Sequence, residues 1–84
     1  MKEKIIEILQ EIHPEIDFSK EKRDLITSGI LESFDIVQII TDLELLFNIK
    51  ISGLEFTPEN FASVNSIVKL VSSKMENWSL WNAV

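Results

Sequence analysis

Three runs of this chain repeat their apolar residues at the three- and four-residue steps of one helix face, and that period restricts the fold to helices packed on one another. The first run is Ile5, Ile8, Leu9 and Ile12, with Lys2, Glu3, Lys4, Glu7 and Glu11 mostly on the other sides. Pro14 disfavours helical geometry at His13, so the first helix is expected over residues 2 to 13 and to stop there. The second run is Ile36, Ile39, Ile40, Leu43 and Phe47, just over three turns long, with Leu46 at its edge and Asn48 as its end. The third is Val64, Ile67, Val68, Val71 and Met75. A chain of 84 residues has room for one small domain and no second. Because it contains no cysteine, neither a disulfide nor a thiolate metal site can supplement the core.

The connections are also informative. From Pro14 to Glu32 the helical period is lost, yet Ile16, Phe18, Leu25, Ile26, Ile30 and Leu31 make the segment too apolar for a free linker. It is expected to lie packed across the bundle, and connections of this length in small domains commonly carry function. Gly29 suits a turn with positive φ near its end. After Asn48, Ile49-Lys50-Ile51 alternates like a short extended piece that returns its apolar side chains to the core. Thr57-Pro58-Glu59-Asn60 has the order of cap, proline at the first helical position and acid in the first turn, which predicts a short third helix through about Phe61. Ser63 suits the cap of the last helix. The domain is expected to span residues 1–77, with 78–84 as a C-terminal tail carrying Trp78 and Trp81.

Composition removes several functions. Fourteen acidic against eight basic residues give a net charge of −6, which repels phosphate backbones, argues against nucleic-acid binding and favours partners with basic surfaces. The single histidine, His13, has no ligand partners at metal-binding spacing, and the carboxylates do not follow an EF-hand pattern. His13 is therefore read as a helix C-terminal cap or an exposed side chain, and a stand-alone enzyme would lack convergent catalytic groups. No apolar stretch is long enough to span a bilayer and the N-terminal segment is amphipathic, so the reading is a cytoplasmic protein.

Ser33 stands between the long loop and the second apolar run. It can serve as a helix cap, offering its hydroxyl to orphan N–H groups, and it can equally expose that hydroxyl at a positive helix end that would welcome a covalently attached phosphate. With the Ile36–Phe47 stripe buried, Asp35, Gln38, Asp42 and Leu45 are expected on the opposite face, with Phe34 also projecting outward and Val37 on a flank. Acids interleaved with Phe34, Val37 and Leu45 would form a docking surface.

Leu25-Ile26-Thr27-Ser28-Gly29-Ile30-Leu31-Glu32-Ser33-Phe34, followed by an Ile/Leu-rich run ending in Phe47-Asn48-Ile49-Lys50-Ile51, resembles the acyl carrier protein family. The resemblance covers about residues 3 to 76 and includes Glu55-Phe56-Thr57-Pro58-Glu59-Asn60-Phe61-Ala62-Ser63 and Ile67-Val68-Lys69-Leu70-Val71. It implies an all-α four-helix bundle of acyl-carrier type, with three main helices, one short third helix and a long loop between helices one and two. It further implies a monomeric carrier, not an enzyme, with a 4′-phosphopantetheine arm on Ser33. A phosphopantetheinyl transferase would add the arm from coenzyme A, and an acyl- or aminoacyl-loading ligase would charge its thiol with a thioester. A downstream acyltransferase, condensing enzyme or thioesterase would consume the cargo in fatty-acid, polyketide or nonribosomal-peptide biosynthesis. Glu32, Phe34, Asp35, Val37, Gln38, Asp42 and Leu45 would meet these partners.

The family usually has aspartate before the modified serine and leucine or methionine after it, where this chain has Glu32 and Phe34. Gln38, Thr41 and Leu45 stand where fatty-acid carriers are more acidic, which leaves room for a specialised pathway such as aminoacyl or polyketide transfer. The competing function is an acidic interaction module of the same fold that is never modified, with Ser33 acting only as a cap.

Overall fold

Lys2–Ile12, Ser33–Phe47 and Val64–Asn82 form three long helices, α1, α2 and α3, in a computed structural model that describes residues 1–82, with side chains through Met75. Two 3-10 turns, Gly53–Glu55 and Pro58–Phe61, lie between α2 and α3, and no strand occurs among the described residues. The expected all-α architecture, with three main helices, a short third one and a long first loop, is what the chain adopts. The short third helix is a 3-10 turn, and the extra turn at Gly53–Glu55 was not foreshadowed by any period.

The three apolar stripes converge on one core. Ile5, Ile8 and Leu9 of α1, Ile39, Ile40 and Leu43 of α2, and Ile67, Leu70 and Val71 of α3 are buried in a single cluster. Leu70 joins the third stripe, whereas Met75 is exposed. Phe61 plugs the cluster from the second 3-10 turn, and Ile49 and Ile51 fold back into it as the alternation required.

The long loop contributes as much to this core as a helix does. Phe18, Leu25 and Leu31 are each 2% exposed, while Ile16, Ile26 and Ile30 pack against them partly buried. Polar contacts fix the path between these anchors. The Phe18 N–H donates to Gln10 Oε1 at 2.9 Å, the Leu25 N–H to the Ala62 carbonyl at 2.8 Å, and the Leu31 N–H to the Leu25 carbonyl at 2.8 Å. The Asp24 carboxylate accepts the N–H groups of Ile26 and Thr27, and Gly29 takes a φ of +82° that delivers the chain toward α2.

Asn48 ends α2 in the left-handed conformation, with φ 53° and ψ 52°, and Glu44 Oε2 accepts the Ile51 N–H beyond it at 2.9 Å. Ser63 caps α3 through its hydroxyl, which accepts the Ser66 N–H at 3.0 Å. Thr57 holds the cap position of its turn without a side-chain bond; Asn60 steadies that turn instead, donating from Nδ2 to the Glu55 carbonyl. The backbone of α3 runs on past Asn77 to Asn82, while the side chains of Trp78 and Trp81 lie outside the described residues. No described helix is long and apolar enough to cross a membrane.

Candidate functional site at the start of α2

Ser33 is the first residue of α2 and not its cap. Glu32 occupies the cap position in extended geometry, and the Asp35 carboxylate reaches back to accept the Glu32 N–H at 3.0 Å. Both residues can serve a helix start, so sequence order alone favoured the serine; the carboxylate three positions on decides for Glu32. Relieved of capping, the Ser33 side chain is exposed and its hydroxyl has no hydrogen-bond partner among the described residues. It is carried on the first turn of the helix, the end whose orphan N–H groups and dipole place partial positive charge.

The residues expected around Ser33 divide into two groups. Phe34, Val37 and Leu45 are exposed apolar side chains, Phe34 at 82% and Leu45 at 79%, and the loop does not cover them. Gln38 and Thr41 lie between them, with Thr41 Oγ1 donating to the Val37 carbonyl at 3.0 Å. Glu32 is exposed beside Ser33. Asp35 and Asp42 do not join this outward line. At 3.6 residues per turn they sit about 80–100° away from Phe34, on the flank of α2.

The two aspartates are correspondingly withdrawn. Asp42 is half-buried, accepts from Gln38 Nε2 at 3.2 Å, and borders a groove with Lys4, Glu7 and Glu11 of α1. The Asp35 side chain is 16% exposed and its Oδ2 lies 2.9 Å from His13 Nε2. Burial would raise the Asp35 pKa, but the bonds from His13 and the Glu32 N–H outweigh it and hold the carboxyl below its usual value.

His13 fills the C-cap of α1 as expected, with its N–H on the Leu9 carbonyl, but its ring is neither a free cap nor exposed. The bond to Asp35 raises its pKa above 6.5, with burial opposing and Glu15 adding to the rise. Nothing local in the sequence signals this contact, because its partners are 22 positions apart. Leu54, 91% exposed in the first 3-10 turn, is a second apolar feature that sequence periodicity did not reveal.

Among the described residues no acid–base or nucleophile–base constellation surrounds Ser33, whose chemistry is that of an unactivated, accessible hydroxyl. No family model matches the chain. It is 35% identical to the D-alanyl carrier protein of Streptococcus suis (strain 98HAH33) over 75 residues, which cover 89% of this chain and 95% of that one. It is 36% identical to the D-alanyl carrier protein of Streptococcus uberis over 69 residues, 82% and 87% of the two chains. It is 33% identical to that of Leuconostoc citreum over 73 residues, 87% and 94%. Likeness of this extent, on a helical bundle whose second helix starts with an open serine, means that the chain belongs to the acyl carrier protein family as one of its discrete carrier proteins, and is a carrier and not an enzyme.

Proposed function

We propose that this carrier holds D-alanine as a thioester on a 4′-phosphopantetheine arm joined to Ser33, in the cytoplasm, and presents it to partner enzymes through the outward face of α2. The observation that carries this reading is the exposed, unengaged Ser33 hydroxyl on the first residue of α2. The surroundings fit a phosphodiester. First-turn N–H groups supply positive potential. Of the two nearby carboxylates, Asp35 is paired with His13 and Glu32 faces solvent, where its repulsion is screened. Exposed Phe34 and Val37 offer apolar contact to a tether or a partner.

The arm supplies a thiol, which this chain lacks altogether. What the protein's own residues do is anchor, expose and orient. Ser33 provides the oxygen, Glu32 and Asp35 hold its helix start without using it, and Gly29 and Leu31 set the approach of the loop. A phosphopantetheinyl transferase must provide the base that activates Ser33, and an aminoacyl-loading ligase must provide the activated cargo. The relatives named for D-alanine favour that cargo over a fatty acyl chain, in keeping with the uncharged Gln38, Thr41 and Leu45 along α2.

Intact-mass measurement after incubation with coenzyme A and a broad-specificity phosphopantetheinyl transferase tests the anchor. Wild type is expected to gain the mass of the arm and Ser33→Ala to gain nothing. A gain retained in Ser33→Ala would assign the arm elsewhere, and no gain in either protein would favour an unmodified interaction module. A second mass step with D-alanine, ATP and an aminoacyl-loading ligase tests the cargo.

A further inference from the structure

The joint between α1 and α2 holds a histidine with two acceptors and no donor. His13 Nε2 lies 2.9 Å from Asp35 Oδ2, and His13 Nδ1 lies 3.1 Å from Glu15 Oε2. Neutral imidazole carries one N–H, so it can satisfy only one of these carboxylates while its other nitrogen turns a lone pair toward an oxygen. The imidazolium donates from both nitrogens and satisfies both. The His13 side chain is 25% exposed, which leaves these bonds only partly screened.

The bonds continue toward Ser33. The same Asp35 oxygen that accepts from His13 also accepts the N–H of Glu32, the residue immediately before the serine. We propose that His13, as the imidazolium, is a positioning residue for Ser33: it latches the end of α1 and the start of the long loop onto the first turn of α2, and loses one of its two bonds when it loses its proton. This inference rests on the reading of Ser33 as the arm-bearing residue. The charged groups facing His13 are Glu15 from the loop and Asp35 from α2, with exposed Glu32 beyond Asp35. Among the described residues no lysine or arginine pairs with any of the three.

The latch has an electrostatic side as well as a mechanical one. An incoming phosphoryl group at Ser33 would meet Glu32 and Asp35, and a protonated His13 cancels the charge of the second. Arm attachment is therefore fastest with His13 protonated, and the bond to Asp35 keeps it protonated to a higher pH than a free histidine.

His13 is the only histidine in the chain, so its ring resonances titrate without ambiguity in NMR. Its pKa is expected above the ordinary 6.5 and to fall toward that value in Asp35→Asn. In parallel, the rate of arm attachment is measured across pH for wild type and His13→Gln, and the ratio of the two is taken at each pH so that the transferase's own titration cancels. Glutamine keeps one donor toward Asp35 and so preserves the fold, which a thermal melt checks. The ratio is expected to fall by about three- to tenfold as the pH rises through the His13 pKa, the net size of one ordinary, partly screened hydrogen bond. A flat ratio with normal arm attachment would overturn the latch while leaving the role of Ser33 intact, and so would a His13 pKa at or below 6.5. Absence of arm attachment in both proteins would instead overturn the reading of Ser33, and the NMR titration would still decide the latch.

Discussion

Ser33 and Ser63 both stand at helix starts, and the bonds around them set opposite expectations. Ser63 bonds the Ser66 N–H, so Ser63→Ala is expected to cost about 1 kcal/mol, readable as a lowered urea midpoint. Ser33 bonds nothing described, so Ser33→Ala should leave the midpoint unchanged to within about 0.5 kcal/mol. Gly29 and Asn48 hold φ of +82° and +53°. No atom lies within 4 Å of where a Cβ on Gly29 would stand, so Gly29→Ala should lose about 1–2 kcal/mol through its backbone conformation alone. For His13 the sign of the pH dependence follows from a pKa raised in the folded state. Its contribution is fully present below the unfolded value of 6.5 and is lost as pH rises through the folded one. The melting temperature should fall over that window in wild type, and the fall should be absent in His13→Gln.

At the level of elements, the long loop behaves as a core component and should be tested as one. Leu25 is buried and its N–H reaches Ala62, which joins the loop to the second 3-10 turn. Leu25→Ala is expected to cost about 2–5 kcal/mol, as much as a helix core position, in an unfolding titration. The helices themselves were legible because burial imposes a 3.6-residue period on each of them, and the packing of the loop was legible because Phe18, Leu25 and Leu31 have no reason to be apolar otherwise. Three features were not legible. A three-residue turn such as Gly53–Glu55 has no period to read. The choice of Glu32 over Ser33 as cap depends on where the Asp35 carboxylate points, and both orders are compatible with a helix start. The contact of His13 with Asp35 is made by the folded path of the intervening loop, which no local pattern encodes.

The molecule as a whole combines a net charge of −6 with an open apolar line on α2, and the two should act separately. Phe34→Ser and Leu45→Ser remove exposed side chains, so they should leave the melting temperature unchanged yet slow arm attachment or loading at every ionic strength. Asp42→Lys should slow the same steps chiefly at low salt, because the long-range attraction that it reverses is screened within about 10 Å at 0.1 M. A salt-independent defect in Asp42→Lys would assign that residue a contact role instead. The placement of Ser33 on the first turn, with Glu32 and Asp35 fastening the helix beside it, has one last corollary. On the proposed reading, esterifying this oxygen would break no tie that keeps the bundle closed, so bare, armed and charged forms should share one scaffold and one unfolding temperature.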